Sequence, residues 1–287
     1  MGRCCWLTLT LAILAISENL VRAEEPLAAA GNEGIKVSGW QPIFKQMAED
    51  YRIAPADRAE QLFDLQPQPV FRWSQPVRGG DDGAVYLWLE DGRPAAVGTI
   101  FAWPQNDGLR VVQHEFHSFS TGPINAVWRG GTVWSPATGV EPVPVPEAPE
   151  PAKTASHRLR QIKAIAAGFS ANSIDAEGGR WELRLLSKPL YRFEPKSTDK
   201  VLDGALFTLT QGTDPEILLL IEARRSGDRY QWHYLCGRFS DYRLQVRYHD
   251  REVWNAGPGG APTPREPYSY HVVERRAKPS SETNDDE

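Results

Sequence analysis

The feature of this sequence that most constrains its fold is an internal echo between its two halves. The run PLYRF at 189–193 repeats PVFRW at 69–73, an offset of 120 residues. The run DGALF at 203–207 repeats DGAVY at 82–86, an offset of 121. Later matches, including a Val-Trp pair in each half, keep the same order along the chain. Collinear matches of this kind indicate an internal duplication, in which two copies of one unit fold alike.

The hydrophobic patterning of the two halves predicts the same order of elements twice. Apolar residues follow helical spacing from 42 to 53 in the first half and from 159 to 169 in the second. Two short strands follow each predicted helix, and longer strands rich in aromatic and branched residues come next. The sequence therefore predicts a β-rich α+β protein of two similar lobes, each a helix followed by an antiparallel β-meander.

Breaks in composition divide the chain into six predicted segments. Five prolines between Val140 and Lys153 predict an extended, semi-rigid linker. Apolar residues 217–221 predict a central strand covered on both faces, and 268–273 predict a late strand. The segments are a signal peptide at 1–23, a flexible lead-in at 24–39, a first lobe at 40–139, a Pro-rich linker at 140–153, a second lobe at 154–256, and a loop with a disordered acidic tail at 257–287.

The first residues have the pattern of a secretory signal. Arg3 precedes a short apolar core, and Val21-Arg22-Ala23 fits a signal-peptide cleavage site, which has small residues at set positions. No later apolar run is long and uncharged enough to span a bilayer, so the mature chain is predicted to have no transmembrane segment. We therefore expect an exported protein, periplasmic or extracellular after cleavage near Ala23.

Charge and cysteine content restrict the partners and the source of stability. Loss of Arg3, Glu18 and Arg22 with the signal changes the net charge from −5 to −6, which does not suit a nucleic-acid binder. Only Cys236 remains after cleavage, so no intramolecular disulfide is expected. Its place within an aromatic strand predicts a buried, unreactive thiol.

The segment His114-Glu115-Phe116-His117 is the first candidate for chemistry. Residues three apart in a strand face opposite sides, so the two histidines are not expected to hold one metal ion. Glu115 and His117 do share a face, which makes them candidates for a catalytic pair. The other interpretation is that they are ordinary strand residues, because the second half has no polar counterparts. The sequence predicts no metal site.

The echo retains charged residues at two matched positions, the basic pair Arg72 and Arg192 and the acidic pair Asp82 and Asp203. One interpretation is a duplicated anion-binding pair. The other is structural, with each arginine stacked on an aromatic ring or paired with its own aspartate.

Tryptophans are the remaining signal. Eight of them lie in or beside predicted strands: Trp73, Trp88, Trp103, Trp128, Trp134, Trp181, Trp232 and Trp254. We take Trp88 and Trp232 as candidates for ligand binding, because aromatic rings exposed on a sheet stack on sugars or grip peptides. The alternative is that such rings fill the core. No phosphate loop, zinc motif, nucleophile elbow or Cys-x-x-Cys is present, and no cofactor is predicted.

Taken together, PLYRF at 189–193, DGALF at 203–207 and QGTDPEILLLIEAR at 211–224 are similar to a family of uncharacterised exported proteins from planctomycete-type bacteria. The resemblance covers residues 63 to 254 approximately. It implies export and a bacterial source, and it brings no activity, cofactor or catalytic residue.

Three functional hypotheses follow. The leading one is an exported, non-enzymatic binding or cell-envelope-associated protein, with a polysaccharide or another exported protein as its partner. The second is a hydrolase with its site in a groove between the lobes, using Glu115, His117, Arg72 or Arg192. The third is a scaffold that associates with other exported proteins through sheet edges. Convergence of the polar candidates in one cleft would favour the hydrolase.

Overall fold

The structure, a computed structural model, describes residues 39–75, 81–195, 200–260 and 263–279. The predicted signal peptide, nearly all of the lead-in and residues 280–287 of the acidic tail lie outside these residues. Described residues beyond the lead-in belong to one compact unit, Val37–Glu287.

In the first half, the described residues form one helix and eight strands. Helix α1 spans Trp40–Glu49 and buries Trp40, Phe44, Met47 and Ala48 on one side. The strands are β1 Tyr51–Pro55, β2 Asp64–Leu65, β3 Phe71–Gln75, β4 Asp81–Glu90, β5 Arg93–Pro104, β6 Arg110–Ser118, β7 Ile124–Trp128 and β8 Gly131–Trp134.

The described residues from 143 onward form one helix and ten strands. Thr154 caps helix α2, Ala155–Ala167, by accepting a hydrogen bond from the His157 backbone N–H. The strands are β9 Val143–Pro144 in the linker, then β10 Phe169–Ile174, β11 Arg180–Leu185, β12 Tyr191–Phe193, β13 Val201–Gln211, β14 Asp214–Ser226, β15 Arg229–Arg238, β16 Arg243–Tyr248, β17 Arg251–Ala256 and β18 Tyr268–Arg276.

Both helices end earlier than the patterning predicts, and a strand begins directly after each. Tyr51 and Ile53, expected in the first helix, lie in β1, and Phe169, expected in the second, begins β10. A residue at the start of such a strand still falls on the helical spacing, so periodicity alone places the boundary too late. Tyr51 and Ile53 are in a strand because β1 pairs with β7, and Phe169 is in a strand because β10 pairs with β16.

The strands form three antiparallel sheets. Strands of the first half form a six-stranded sheet together with the C-terminal strand β18, in the order β18-β6-β5-β4-β2 with β3 also paired to β4, and a three-stranded sheet β1-β7-β8. The second half forms one nine-stranded sheet, β17-β16-β10-β11-β13-β14-β15-β9, with β12 paired to β13. The protein is therefore β-rich with two described helices, in agreement with the predicted α+β class.

Strand registers in the two halves correspond at the offsets of the sequence echo. Trp73 lies opposite Gly83 between β3 and β4, and Phe193 lies opposite Gly204 between β12 and β13. Ala84 pairs with Ile100, and 121 positions later Ala205 pairs with Ile221. Corresponding residues thus occupy corresponding places in the two sheets.

Three hydrophobic cores arrange the elements in four layers. One core packs α1 on a face of the first sheet, and another packs α2 on the second sheet. The third contains residues from both halves and no helix, including Val85, Val97, Leu206 and Leu220. The order of layers is helix, sheet, sheet, helix. The segment 217–221 is buried on both faces as predicted, because alternate residues enter the second and third cores.

The linker and the C-terminal segment both contain strands. Val143–Pro144 of the Pro-rich linker pairs with β15, although the prolines predict no regular element there. The late strand runs to Arg276, beyond the predicted Val273, and pairs with β6 of the first half. Neither described helix is long and apolar enough to cross a membrane.

Candidate functional site

A cleft of about 540 Å³ opens at one end of the interface between the two large sheets. The end of β5, the middle of β3 and β6, the start of β14, the loop after β15 and strand β18 form its walls. We call it the acidic cleft, after its carboxyl side chains Glu115, Asp214, Glu216 and Asp241. Its aromatic side chains are Trp73, Phe101, Trp103, Phe239, Tyr242 and Tyr270.

Strand β5 supplies the aromatic wall. Alternate side chains of this strand, among them Thr99, Phe101 and Trp103, point to the second sheet, as strand geometry requires. Phe101 packs on Trp73 with ring centroids 5.6 Å apart, and Trp73 Nε1 donates to Thr99 Oγ1 at 3.4 Å. Trp103 is only partly buried and belongs to none of the three cores. Its ring is thus available to a ligand.

Glu115 is a buried acid at the inner end of the cleft. It is 8% exposed, and Gln113 Nε2 donates to its Oε1 at 2.9 Å. Burial, together with the nearby carboxylates of Glu216 and Asp241, raises the pKa of Glu115 to about 8. The carboxyl group therefore carries a proton at neutral pH and can donate as well as accept hydrogen bonds.

Arg238 holds the loop that forms the rim of the cleft. Its Nε donates to the Ser240 carbonyl at 2.7 Å, and its Nη2 donates to the Tyr242 carbonyl at 2.9 Å. Its Nη1 reaches the Gly257 carbonyl at 3.0 Å, and its guanidinium lies 5.0 Å from the Tyr268 ring centroid. These contacts fix the backbone that presents Asp241, which is itself exposed.

His117 and Tyr268 lie beyond Glu115 on the same face of the sheet. Register places Tyr268 opposite His117 and Tyr270 opposite Glu115. Neither ring nitrogen of His117 nor the Tyr268 hydroxyl has a hydrogen-bond partner among the described residues. Burial lowers the pKa of His117 to about 3, so its imidazole is neutral. Neither residue lines the cleft, so these polar groups lie in the protein interior behind Glu115.

A second cleft of about 500 Å³ between the halves has a different interior. Arg93 Nε binds Glu222 Oε2 at 2.8 Å, Arg93 Nη1 donates to the Phe119 carbonyl at 2.8 Å, and Arg224 Nη1 lies 2.6 Å from Glu222 Oε1. Arg93 and Arg224 line this ion-paired cleft, with Glu222 buried behind them, and the residues 121 positions away from these three along the chain, Asp214, Trp103 and Phe101, line the acidic cleft. Internal ion pairs therefore take the positions that rings occupy in the acidic cleft.

The structure separates the residues of the predicted hydrolase site. Glu115 lines the acidic cleft, while the His117 ring packs on Phe119 at 5.2 Å, in close contact with Gly237. Arg72 is exposed on β3. Arg192 binds Asp203 through Nη2 at 2.8 Å, which is the structural pairing considered from the sequence. These four side chains do not converge on one point.

The two tryptophans taken as binding candidates lie in the cores. Trp88 is 1% exposed and packs with Tyr51 and Phe116, and Trp232 is 0% exposed in the core beneath α2. Neither ring is accessible to a ligand. Trp103, which the sequence does not distinguish from the other seven, reaches the cleft because it stands at the end of β5, beside Pro104 and a turn.

His114 takes part in a buried cluster on the opposite face of β6. Its Nδ1 lies 2.7 Å from the Tyr51 hydroxyl, and His271 Nε2 lies 3.0 Å from the same oxygen. This arrangement confirms that His114 and His117 face opposite sides. Within the described ranges, no three His, Cys, Asp or Glu side chains are placed to hold a metal ion. Burial raises the pKa of the Cys236 thiol, as expected for an unreactive cysteine.

Comparisons of the chain with protein-family models, with curated proteins and with solved structures gave no match.

Proposed function

We propose that this protein is an exported binding protein that takes a glycan in the acidic cleft. The observation that carries the proposal is the combination of a partly exposed ring, Trp103, with four carboxyl side chains in one cleft of about 540 Å³. A cleft of this volume suits a ligand of a few sugar rings.

The chemistry of the walls fits a polyhydroxylated ligand. The faces of Trp103 and Phe101 offer apolar surface to the C–H faces of sugar rings. Carboxylates accept strong hydrogen bonds from hydroxyl groups, and the protonated Glu115 donates one. Rings and paired carboxyl groups together would orient a sugar without covalent chemistry.

We also propose that the chain arose by internal duplication and is exported to a bacterial envelope. Corresponding registers in the two sheets support an internal duplication, with the acidic cleft and the ion-paired cleft as counterparts that have diverged. The basic start and apolar core at the N-terminus support export, and the resemblance to exported planctomycete-type proteins supports a bacterial envelope as the setting.

Intrinsic fluorescence provides the test. We would titrate the purified protein with soluble polysaccharides and cell-wall fragments, and compare the wild type with Trp103→Ala and Trp181→Ala. Trp181 is a matched control because its ring is 48% exposed on β11, outside the cleft. We expect a saturable signal that Trp103→Ala weakens by about tenfold or more.

Trp181→Ala should leave the dissociation constant unchanged. Equal loss of binding in both variants, or a saturable signal that Trp103→Ala does not affect, would contradict a glycan site in the acidic cleft.

A further inference from the structure

A loop of four residues, 239–242, forms one rim of the acidic cleft, and we call it the rim loop. Residues of its counterpart, 120 positions earlier in the chain, line the ion-paired cleft. The two loops share their internal hydrogen bond. Ser240 Oγ accepts from the Tyr242 N–H at 3.2 Å, and Ser120 Oγ accepts from the Gly122 N–H at the same distance. One loop geometry therefore occurs at both clefts.

The side chains of the two loops differ where they line the clefts. The rim loop has Asp241 and Tyr242 at the positions where its counterpart has Thr121 and Gly122. The acidic cleft thus has larger polar side chains on this loop, and the loop backbone decides where they lie.

An arginine without a counterpart in the first half holds that backbone. The corresponding position there is a serine, whose short side chain cannot reach several carbonyl groups. Arg238 donates to the Ser240 carbonyl at 2.7 Å and to the Tyr242 carbonyl at 2.9 Å, through different nitrogen atoms. A third nitrogen donates to the Gly257 carbonyl at 3.0 Å. The guanidinium therefore binds the rim loop on both sides of Asp241.

The same arginine joins the rim loop to the strand that carries another wall of the cleft. Its guanidinium lies 5.0 Å from the ring centroid of Tyr268 on β18, and Tyr270 of that strand lines the cleft. Arg238 itself does not line the cleft, whereas Asp241 does. Its influence on a ligand must therefore pass through the rim loop.

We propose that Arg238 is a positioning residue of the glycan site, whose guanidinium holds the rim loop so that the Asp241 carboxyl group faces the hydroxyl groups of a bound sugar. This inference rests on the glycan-binding function proposed above and adds how the site is ordered before a ligand arrives. A guanidinium donates in several fixed directions at once, which an ammonium group cannot do. A loop that is ordered in advance lowers the conformational cost of binding.

Calorimetry on Arg238→Lys tests the proposal, because lysine keeps the charge and loses the three divergent hydrogen bonds. The probes are tetramers of β-1,4-linked glucose, N-acetylglucosamine and xylose, titrated well below the unfolding temperature of each variant. We expect Arg238→Lys to weaken binding of the tetramer that the wild type binds by about fivefold or more. Arg229→Lys should leave it unchanged, because Arg229 is an exposed arginine at the other end of β15, outside the cleft.

A double-mutant cycle with Asp241→Ala separates positioning from a general loss of structure. If Arg238 acts through Asp241, then Arg238→Lys should weaken binding by less than about twofold once residue 241 is alanine. A merely structural role would make the two losses additive. Should Arg238→Lys fail to fold, Ser240→Ala replaces it in the cycle, because it removes the acceptor of the Tyr242 N–H within the same loop.

Amide hydrogen exchange of the ligand-free protein provides a readout that needs no glycan. We expect the Tyr242 N–H to exchange at least about tenfold faster in Arg238→Lys than in the wild type, since the loop backbone loses its restraint. Equal exchange rates would overturn the positioning role.

The binding outcomes separate the two proposals. Unchanged affinity of Arg238→Lys, or additive losses in the cycle, would overturn the positioning role and leave the glycan function standing. Failure of the wild type to bind any tetramer or any member of the wider glycan panel would overturn the glycan function and this inference with it.

Discussion

Gly83 and Gly204 occupy corresponding places beneath an aromatic ring in the two halves. A Cβ atom on Gly83 would lie closer than 3.0 Å to the Trp73 ring, and one on Gly204 would lie equally close to the Phe193 ring. Both rings belong to the core between the sheets. Packing of these rings therefore requires glycine in both DGA motifs. The sequence shows that the glycine recurs, and the structure gives the reason.

We expect Gly83→Ala and Gly204→Ala each to lower the free energy of unfolding by about 1–3 kcal/mol, since the rings must shift to admit a methyl group. Gly257→Ala is the control, because a Cβ there meets nothing within 4 Å. Denaturant unfolding measures all three. Similar stabilities for the three variants would contradict the packing argument.

Glu115 should make the free energy of unfolding fall as pH rises, the opposite of the usual effect of a carboxyl group. Its pKa is about 8 in the folded protein against an ordinary value of 4.5, so the folded state binds more protons between these limits. Stability from this residue is greatest below pH 4.5 and falls as pH rises towards 8. His117 acts in the opposite sense, since its lowered pKa costs stability as pH falls from 6.5 towards 3.

Comparison with Glu115→Gln isolates the contribution of this carboxyl group. We expect the stability of the variant, relative to the wild type, to increase as pH rises from 4.5 to 8, because the amide cannot ionise. Chemical unfolding at several pH values checks this. A constant difference across the window would mean that Glu115 titrates normally.

At the scale of elements, the Arg93–Glu222 ion pair joins β5 of the first half to β14 of the second. Glu222 is fully buried and Arg93 nearly so. Burial alone would raise the pKa of Glu222, but Arg93 and Arg224 together hold it below its ordinary value. The pair thus fixes the relative position of the two sheets next to the ion-paired cleft.

We expect Glu222→Gln to reduce the free energy of unfolding by about 3 kcal/mol, because two arginines lose the charge that compensates them in a buried place. Arg275→Ala removes a solvent-exposed ion pair with Asp107 and should cost less than about 1 kcal/mol. Thermal and denaturant unfolding compare them. A loss no larger than that of Arg275→Ala would show that the buried pair contributes little.

The elements themselves follow largely from the sequence, and their boundaries do not. Alternating apolar residues and turns such as Asp91-Gly92 predict most of the long strands, because strand geometry imposes a period of two. The junctions at Tyr51 and Phe169 are missed because both residues satisfy the helical spacing of the preceding helix. Only pairing with β7 and β16, more than 70 residues away along the chain, makes them strands.

At the scale of the whole molecule, the functional site depends on contacts that local patterns do not encode. Glu115 and Asp241 line the same cleft from different halves of the chain, and Tyr270 lies on a strand near the C-terminus that pairs with the first sheet. The sequence predicts a groove between related lobes, but not which end of the interface opens. Consequently Glu115 is a candidate from the sequence, whereas Trp103 and Asp241 emerge only from the structure.

Nuclear magnetic resonance of the tryptophan indole N–H groups can show whether a glycan binds in the acidic cleft. Single Trp→Phe variants would assign the signals. On addition of an oligosaccharide that binds, we predict a shift of the Trp103 signal, with those of the buried Trp88 and Trp232 and the outer-surface Trp181 unchanged. A shift at Trp181 without one at Trp103 would place the ligand elsewhere and contradict the claim.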